Sequence, residues 1–267
     1  FTNSELIIGY VFCFISLFCL DKFLKIKNKF FIIALIFYIL TISFIIGERS
    51  NFLKLFSLIT VFYIFVYLRE NNFKIINFIK IFLLYLTILT LFFFTIKDTK
   101  QAEKFFNFSN ISKISNFEMF ANNLKHTPHY ATALKIFYNN PILGIGINNF
   151  REESKKEIYS EKKYKFNENR SSTHAHQLYL EILSETGILG IIYFLVLFLW
   201  STYLSIKNYI QYNNLKIIPH FLLNLFFIFP VLPSGSFFGT IYGLPFWYNF
   251  AIMLYLSQKS EIKVILK

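Results

Sequence analysis

Residues 173–192, with the sequence THAHQLYLEILSETGILGII, bring side chains that can do chemistry up to an apolar segment. His174 and His176 come first, Glu181 and Glu185 follow, and residues 188–206 carry no charge. A neutral imidazole, with an ordinary pKa of about 6.5, accepts a proton from a hydroxyl group at neutral pH. His176 is therefore a candidate general base. The alternative is a side chain at a membrane surface that reaches to water.

The spacing of His176 and two later glycines predicts that they share one face of a helix. At about 100° per residue, Leu183, Gly187 and Gly190 fall within about 40° of His176. Glycines on one face let a second helix approach closely in a membrane. His176 is then expected at the outer end of a packed helix face.

The two glutamates fall on the other side of that helix. Glu181 and Glu185 are therefore expected to brace the loop or a neighbouring span rather than to contact His176. His174 points away from the face of His176 or precedes the helix, so it ranks second as a base.

Three arginines are candidates for binding a phosphate group. Arg49 lies in the sequence IIGERSNF, Arg151 follows GIGINNF, and Arg170 precedes the histidines. A guanidinium group held in a cavity donates two parallel hydrogen bonds to a phosphate. Several arginines near one candidate base favour a phosphate-bearing substrate, although an arginine at a membrane boundary also serves simply as an anchor.

The histidines also form two short motifs of the kind that metal sites use. His126 and His129 form H-x-x-H, and His174 and His176 form H-x-H. Neither pair has an aspartate or cysteine at ligand spacing, and Pro128 disfavours a regular helical pair. The sequence therefore predicts no metal ion and no cofactor, with a metal site as the alternative.

The composition shows which elements position these residues. The chain has 267 residues, of which 55% are hydrophobic, and its mean hydropathy is +0.49. Spanning a membrane takes about 20 apolar residues, and a single segment in lipid has to be helical to satisfy its own backbone. Seven stretches qualify: 6–20, 30–47, 52–68, 75–96, 188–206, 217–233 and 237–256. The predicted fold is an all-α, polytopic membrane helix bundle.

Lysine and arginine favour cytoplasmic loops and thereby indicate the orientation of the bundle. One side of the alternating connections receives eleven basic residues: Lys22, Lys25, Lys27, Lys29, Arg69, Lys74, Lys207, Lys216, Lys259, Lys263 and Lys267. The short connections of the other side hold Arg49, with Lys54 a turn further on. The first side is therefore predicted to be cytoplasmic. This topology explains much of the net charge of +12 without a nucleic-acid partner.

Three regions follow from this topology: spans one to four in 1–96, a long outer loop in 97–177, and spans five to seven with a cytoplasmic tail in 178–267. The loop is too long for an ordinary connection, so it is either a functional cap or a disordered insert. The pattern at 130–137 predicts a short amphipathic helix, and Gly144 and Gly146 suit a tight turn. The charged run 151–170 is expected to be solvated, and no separate core is expected in the loop.

Three motifs resemble those of the O-antigen ligase and polymerase family. HQLYLEILSETGILG fits its pattern of a histidine, an Asn, Ser or Gln, nine residues, and two glycines separated by two residues. NPILGIGINNFRE resembles its Pro-apolar-apolar-Gly-apolar-Gly turn, and GERSNF resembles its small-Arg-small helix start. Family members have more spans than seven, so an N-terminal part is expected to be missing. The start at Phe1, without an initiator Met or a basic signal region, agrees with this.

The resemblance implies a GT-C-like glycosyltransferase in the bacterial inner membrane, with its active site facing the periplasm and without a metal or nucleotide sugar. Such enzymes move a glycan from an undecaprenyl-diphosphate carrier to an acceptor hydroxyl, which lies on lipid A core for the ligases. The family's catalytic histidine then falls on His176 and its first diphosphate-binding arginine on Arg49.

The resemblance is weaker for the remaining roles. LKHTPHYATALKIF stands where the family commonly has a second arginine, which leaves that role to His129 or Arg151. The residues that the motifs assign to support of the site are Gly187, Gly190, Glu185, Gly144 and Gly146.

Other functions share some of these features. O-antigen polymerase and protein O-oligosaccharyltransferase use the same donor chemistry on another glycan or a protein, and they stay open as alternatives. A transporter or flippase for a lipid-linked glycan would place ionisable residues deep inside its spans. Here these residues cluster at the outer ends, which favours a glycosyltransferase over a transporter. Among the glycosyltransferases, the ligase with lipid A core as acceptor is the one predicted.

Overall fold

The computed structural model describes residues 4–23, 29–70, 126–229 and 233–265, together with the single positions 76, 79, 83 and 87. These residues form helices and connecting turns without a strand, in agreement with the all-α prediction. The α-helices are α1 (Ser4–Phe18), α2 (Leu20–Phe23), α3 (Lys29–Ile46), α4 (Arg49–Glu70), α5 (Thr127–Asn139), α6 (Phe150–Glu153), α7 (Leu178–Tyr212), α8 (Ile217–Phe227) and α9 (Thr240–Ile265). Two 3-10 helices, Glu157–Tyr159 and Asn167–Arg170, lie between α6 and α7.

The chain divides into two compact units, of which the first contains Phe1–Phe108 and Ile218–Phe226. In its described part, α1, α3 and α4 pack against one another. The core between them includes the buried side chains of Cys13, Leu17, Phe44, Leu55, Ile59 and Phe62. Lys54 is buried here as well, with its Nζ 5.4 Å from the centroid of the Phe226 ring.

The second unit contains Ser109–Ile217 and Phe227–Lys267. Its central element is α7, which has 35 residues and is divided by the non-helical backbone of Gly187. Both α5 and α9 pack against α7. Edge-to-face contacts of Phe237 with Phe194 and Phe246, at ring distances of 5.4 and 5.2 Å, fill the contact near α9.

One helix of the described part, α7, is long and apolar enough to cross a membrane. Shorter apolar helices, Ile7–Phe18, Ala34–Ile46, Ser50–Val66 and Ile217–Phe227, overlap four of the predicted spans. The predicted span 75–96 lies outside the described residues except for single positions. The count of seven spans and their orientation therefore stay predictions.

The described part of the loop begins with α5, which confirms the short amphipathic helix predicted at 130–137. Pro128 occupies the first turn of α5, where its missing N–H removes no helical hydrogen bond. The amide of Asn140 bonds back to the carbonyls of Ile136 and Phe137 at the end of the helix.

Most charged side chains of the run 151–170 are exposed, as expected, but the run is folded and the expectation of a loop with no core is wrong. Phe150 and Tyr159 are buried in an apolar cluster with Ala133, Ile136 and Ala175, which we call the cap core. Ion pairs surround it: Lys135–Glu161 and Lys156–Glu153 at 2.7 Å, and Arg170–Glu157 at 2.8 Å. The sequence pattern missed this core because its members come from four separate segments, of which only α5 has a periodic apolar face.

Candidate active site

His176 lies just before α7, so the prediction of a helix that runs on from His176 is wrong. The helix begins at Leu178, and the side-chain oxygen of its N-cap, Gln177, accepts a hydrogen bond from the amide of Leu180 at 2.8 Å. His176 has φ +56°, in the left-handed region that residues with a side chain rarely adopt. The predicted helix face shared with the glycines therefore does not exist.

Ser234 holds both histidines of the H-x-H motif through its backbone. Its amide donates to the His176 carbonyl at 3.0 Å, and its carbonyl accepts from His174 Nε2 at 3.2 Å. The His174 Nδ1 then accepts a hydrogen bond from the Thr173 hydroxyl at 2.8 Å. Burial lowers the pKa of His174 to about 4, and the hydrogen bond to Ser234 only partly opposes this. His174 is thus neutral at pH 7, and both of its ring nitrogens take part in hydrogen bonds.

The imidazole of His176 lies among three other imidazole rings. Its centroid is 4.2 Å from that of His174, 4.7 Å from that of His129 and 5.0 Å from that of His126. His126 and His129 come from the start of α5, at the other end of the described loop. The fold therefore brings the H-x-x-H and H-x-H motifs together in one cluster.

Hydrogen bonds limit where the protons of this cluster lie. His129 is buried, and its Nδ1 donates to the Arg170 carbonyl at 3.2 Å, which leaves the lone pair on Nε2. His176 Nε2 lies 2.9 Å from the Ser172 hydroxyl, and either atom can donate. In either tautomer a neutral imidazole carries one nitrogen lone pair, which is the group that a base uses.

Three of these histidines have the spacing of a metal-binding set. One ring nitrogen each from His126, His129 and His176 lie within 4.8 Å of one another. Absence of a metal stays a prediction, but the two motifs are not separate pairs in the fold. The structure places His176 beside the His126–His129 pair as a third candidate ligand.

Gly187 interrupts α7, because its backbone, with φ +67° and ψ −164°, is not helical. Residues 141–146, here called the PILGIG turn, lie against this break. A Cβ on Gly187 would overlap the carbonyl of Ile142, and a Cβ on Gly144 would overlap the backbone of Glu185. These two glycines therefore permit contact between the backbone of the turn and that of the helix.

The other two glycines of the motifs have different surroundings. Gly146 has φ +92°, so it and Gly144 (φ +66°) confirm the predicted tight turn. A Cβ on Gly190 would meet the side chain of Thr186 in its own helix. The prediction that Gly190 faces a second helix stays a prediction.

Both glutamates brace neighbouring segments, in agreement with the sequence prediction. The Glu185 carboxylate accepts hydrogen bonds from the amides of Asn148 at 2.7 Å and Phe150 at 3.2 Å. The Glu181 carboxylate accepts two hydrogen bonds from residues 236–237, at 2.6 and 3.0 Å. Glu185 thereby ties the loop after the PILGIG turn to α7, and Glu181 ties the segment before α9 to it.

The candidate arginines lie in different settings. Arg151 is exposed and, among residues 126–229, forms no hydrogen bond or ion pair with the histidines. Arg170 is buried and donates to the Glu157 carboxylate at 2.8 Å and to the Lys155 carbonyl at 3.3 Å. Arg49 begins α4 in the first unit. Its role, like that of Arg151, stays a prediction.

Three residues of the site were not among the candidates: Ser172, Ser234 and Tyr130. The Tyr130 ring stacks on His126 at a centroid distance of 6.3 Å, and burial raises its pKa. The sequence signal for Ser172 is its position four residues before His176. No spacing signals Ser234, because it reaches the site from a distant segment.

Comparison with known proteins agrees with the motifs. Residues 31–195, more than half of the chain, match the family described as O-antigen ligase. The matched region contains Arg49, the histidine cluster, the PILGIG turn and the break at Gly187. No curated protein matches the chain.

Proposed function

Because this chain belongs to the O-antigen ligase family of membrane glycosyltransferases, we propose that it transfers a glycan from an undecaprenyl-diphosphate carrier to an acceptor hydroxyl. The proposed acceptor is lipid A core. The reaction takes place on the periplasmic side of the bacterial inner membrane and needs no metal ion or nucleotide sugar.

His176 is the proposed general base. It accepts the proton of the acceptor hydroxyl as that oxygen forms a bond to the anomeric carbon of the glycan. The bond from the same carbon to the diphosphate breaks, and undecaprenyl diphosphate leaves with the electron pair. A single displacement of this kind inverts the anomeric carbon. The observation that supports His176 is its place in the histidine cluster, with its Nε2 2.9 Å from the Ser172 hydroxyl.

The leaving diphosphate requires positive charge or hydrogen-bond donors, because these stabilise the charge that develops on it. Arg49 is assigned this role by its motif. His129 is a second donor, supported by its position 4.7 Å from the His176 ring, and Arg151 is a third. In the tautomer described above, His129 Nε2 has a lone pair, so His129 has to be protonated to donate from that atom.

Supporting residues act through position rather than through contact with substrate. Gly144, Gly146 and Gly187 shape the PILGIG turn and the break that precedes the apolar part of α7. Glu185 attaches the loop that follows the turn. Gly190 lies one turn further along the helix. Together they hold the start of α7, and with it residue 176, in one orientation.

The test is transfer of glycan by the purified full-length protein from an undecaprenyl-diphosphate donor to lipid A core, with EDTA present. His176→Asn is the variant of choice, because asparagine tolerates a positive φ better than alanine does. Loss of the base is expected to lower kcat by about 10²–10⁴-fold. His220→Asn, a change at the histidine outside the cluster, is the matched control and is expected to retain activity.

The outcomes separate the alternatives. Full activity in His176→Asn contradicts the assignment of the base. Transfer to a glycan or a protein but not to lipid A core identifies a polymerase or a protein O-oligosaccharyltransferase. Movement of the lipid-linked glycan across a vesicle membrane without transfer identifies a transporter.

A further inference from the structure

We propose that His126, His129 and His176 form a binding site for one Zn²⁺ ion, and that the bound ion inhibits transfer. Binding of the ion is independent of the proposed reaction. Inhibition rests on the proposed function, since it requires His176 to be the base. The site is thereby a regulatory one that overlaps the proposed catalytic group.

The geometry and the ligand type favour this ion. Imidazole nitrogen is a borderline ligand that suits Zn²⁺, whereas Mg²⁺ and Ca²⁺ prefer oxygen. Three nitrogens on one tetrahedral Zn²⁺ lie about 3.3 Å apart when each bond is about 2.0 Å. The three nitrogens of the cluster already lie within 4.8 Å. Movements of about 1.5 Å by the half-buried rings of His126 and His176, within the reach of side-chain rotation, close this distance while the His129 ring stays in place.

A hydrogen bond on its other ring nitrogen already orients His129 as a metal ligand. His129 donates its Nδ1 hydrogen to the Arg170 carbonyl, which leaves Nε2 as the ligand atom. A backbone carbonyl on the second nitrogen is the usual partner of a zinc-binding histidine, because it fixes the tautomer and the ring orientation. Burial of His129 strengthens this orientation, since the ring has little room to turn.

The fourth imidazole of the cluster is excluded from the ligand set. Both nitrogens of His174 are engaged, with the Ser234 carbonyl and with the Thr173 hydroxyl. Three protein ligands leave the fourth position of a tetrahedral ion for water or for an acceptor oxygen. The ligand set therefore consists of two residues at the start of α5 and one residue before α7.

Zn²⁺ is expected to inhibit transfer because it binds the same nitrogen lone pair that His176 needs as a base. A neutral imidazole has a single lone pair in the ring plane, and a metal bond from that nitrogen prevents it from accepting a proton. His176 bound to Zn²⁺ can therefore not deprotonate the acceptor hydroxyl. The effect is expected to be reversed by EDTA, and Mg²⁺ is expected to be without effect.

Binding is tested by isothermal titration of the purified full-length protein in detergent with Zn²⁺, and with Mg²⁺ as the control ion. One Zn²⁺ per chain is expected, with affinity at least about tenfold weaker in His126→Asn and His129→Asn. Asparagine is among the best N-cap residues, so it suits position 126, which is the N-cap of α5. His174→Asn and His220→Asn are the matched controls and are expected to bind as the wild type does. Equal affinity in all variants, or no binding, overturns the site.

Inhibition is tested as the ratio of transfer rates with and without Zn²⁺, measured within each variant. The ratio is expected to fall with occupancy in the wild type and to approach one in His126→Asn at the same Zn²⁺ concentration. Zn²⁺ that binds but leaves the ratio at one, or that raises the rate, overturns the inhibition. Loss of transfer in His176→Asn without any Zn²⁺ binding by the wild type would leave the proposed base intact and remove only the metal site.

Discussion

The backbone amide of Ile188 donates a hydrogen bond to the carbonyl of Pro141 at 2.8 Å. In an unbroken helix this amide would bond to the carbonyl of Ser184, which instead accepts from the amide of Ile145 at 3.1 Å. The break at Gly187 thus exchanges bonds within α7 for bonds to the PILGIG turn. The turn and the break stabilise each other, because each satisfies backbone groups that the other leaves open.

The first prediction concerns the glycines at this contact. Gly144→Ala and Gly187→Ala are both expected to destabilise the fold strongly, because a Cβ at either position overlaps backbone and φ is positive. Gly146→Ala meets only the side-chain amide of Asn149, which can move, so its cost is expected to be the strain of φ alone, about 1–3 kcal/mol. Thermal unfolding of the purified variants measures whether Gly146→Ala destabilises the fold less than Gly144→Ala and Gly187→Ala do.

The same variants separate structure from chemistry. Gly144→Ala and Gly187→Ala are expected to lose transfer activity together with stability. If Gly187→Ala were as stable as the wild type, α7 would run straight through this position and the contact with the PILGIG turn would be absent.

The second prediction concerns the carboxylate of Glu185. Glu185→Gln replaces one of its acceptor oxygens with a donor, which then faces the amide of Asn148 or Phe150. An unmatched buried amide costs about 1–3 kcal/mol. The expected result is faster hydrogen exchange at these two amides and a lower melting temperature. Glu152→Gln, at an exposed carboxylate, is the control, and equal exchange in both variants would contradict the bracing role.

Several parts of the fold were predictable from sequence because they depend on local patterns. Apolar runs located α3, α4 and α7, and the helix at 130–137 followed from its periodicity and from the later Pro141. Positive φ at Gly144 and Gly146 followed from glycine spacing. The break at Gly187 did not, since a glycine in an apolar run has the same appearance in a straight helix and in a broken one. Its partners lie in the PILGIG turn, far away in sequence.

The site was predictable in part for the same reason. His176 and Glu185 stand in one motif, so short-range reasoning identified them. The approach of His126 and His129 to His176 depends on the path of the intervening loop, and no local sequence periodicity predicts that path. The positive φ of His176 was not predictable from sequence either, because a left-handed backbone conformation is expected mainly at glycine.

The third prediction tests the cap core. Phe150→Ala removes a ring with no exposed surface from this cluster. The expected loss is about 3–5 kcal/mol in the stability of the folded segment 127–177 around the core, here called the cap. Ile158→Ala is the control, because that side chain is 64% exposed and such changes stay within about 0.5 kcal/mol. Limited proteolysis within 151–170 is expected to accelerate in Phe150→Ala only. Equal cleavage rates would show that the charged run does not depend on the core.

The fourth prediction concerns the acid response of the cap. Burial by itself would raise the pKa of Glu161, but hydrogen bonds from Lys135 and Lys163 outweigh it and lower the pKa. A carboxyl group whose pKa is lower in the folded than in the unfolded state stabilises the fold above the unfolded value, about 4.3 for glutamate. This contribution is lost as the pH falls through the folded pKa.

Glu161→Gln is therefore expected to destabilise the cap at pH 7 by about 0.5 kcal/mol, the value of a partly exposed ion pair. The substitution is expected to have no effect at a pH at which the wild-type carboxylate is protonated. The measurement is hydrogen exchange of the α5 amides in both proteins between about pH 7 and pH 3, with the intrinsic rates removed. The difference in amide protection between the wild type and Glu161→Gln should become smaller as the pH falls. Glu168→Gln, at an exposed carboxylate, should show no difference at either end. A difference that grew toward low pH would mean that the Glu161 pKa is raised by folding, and that burial outweighs the two lysines.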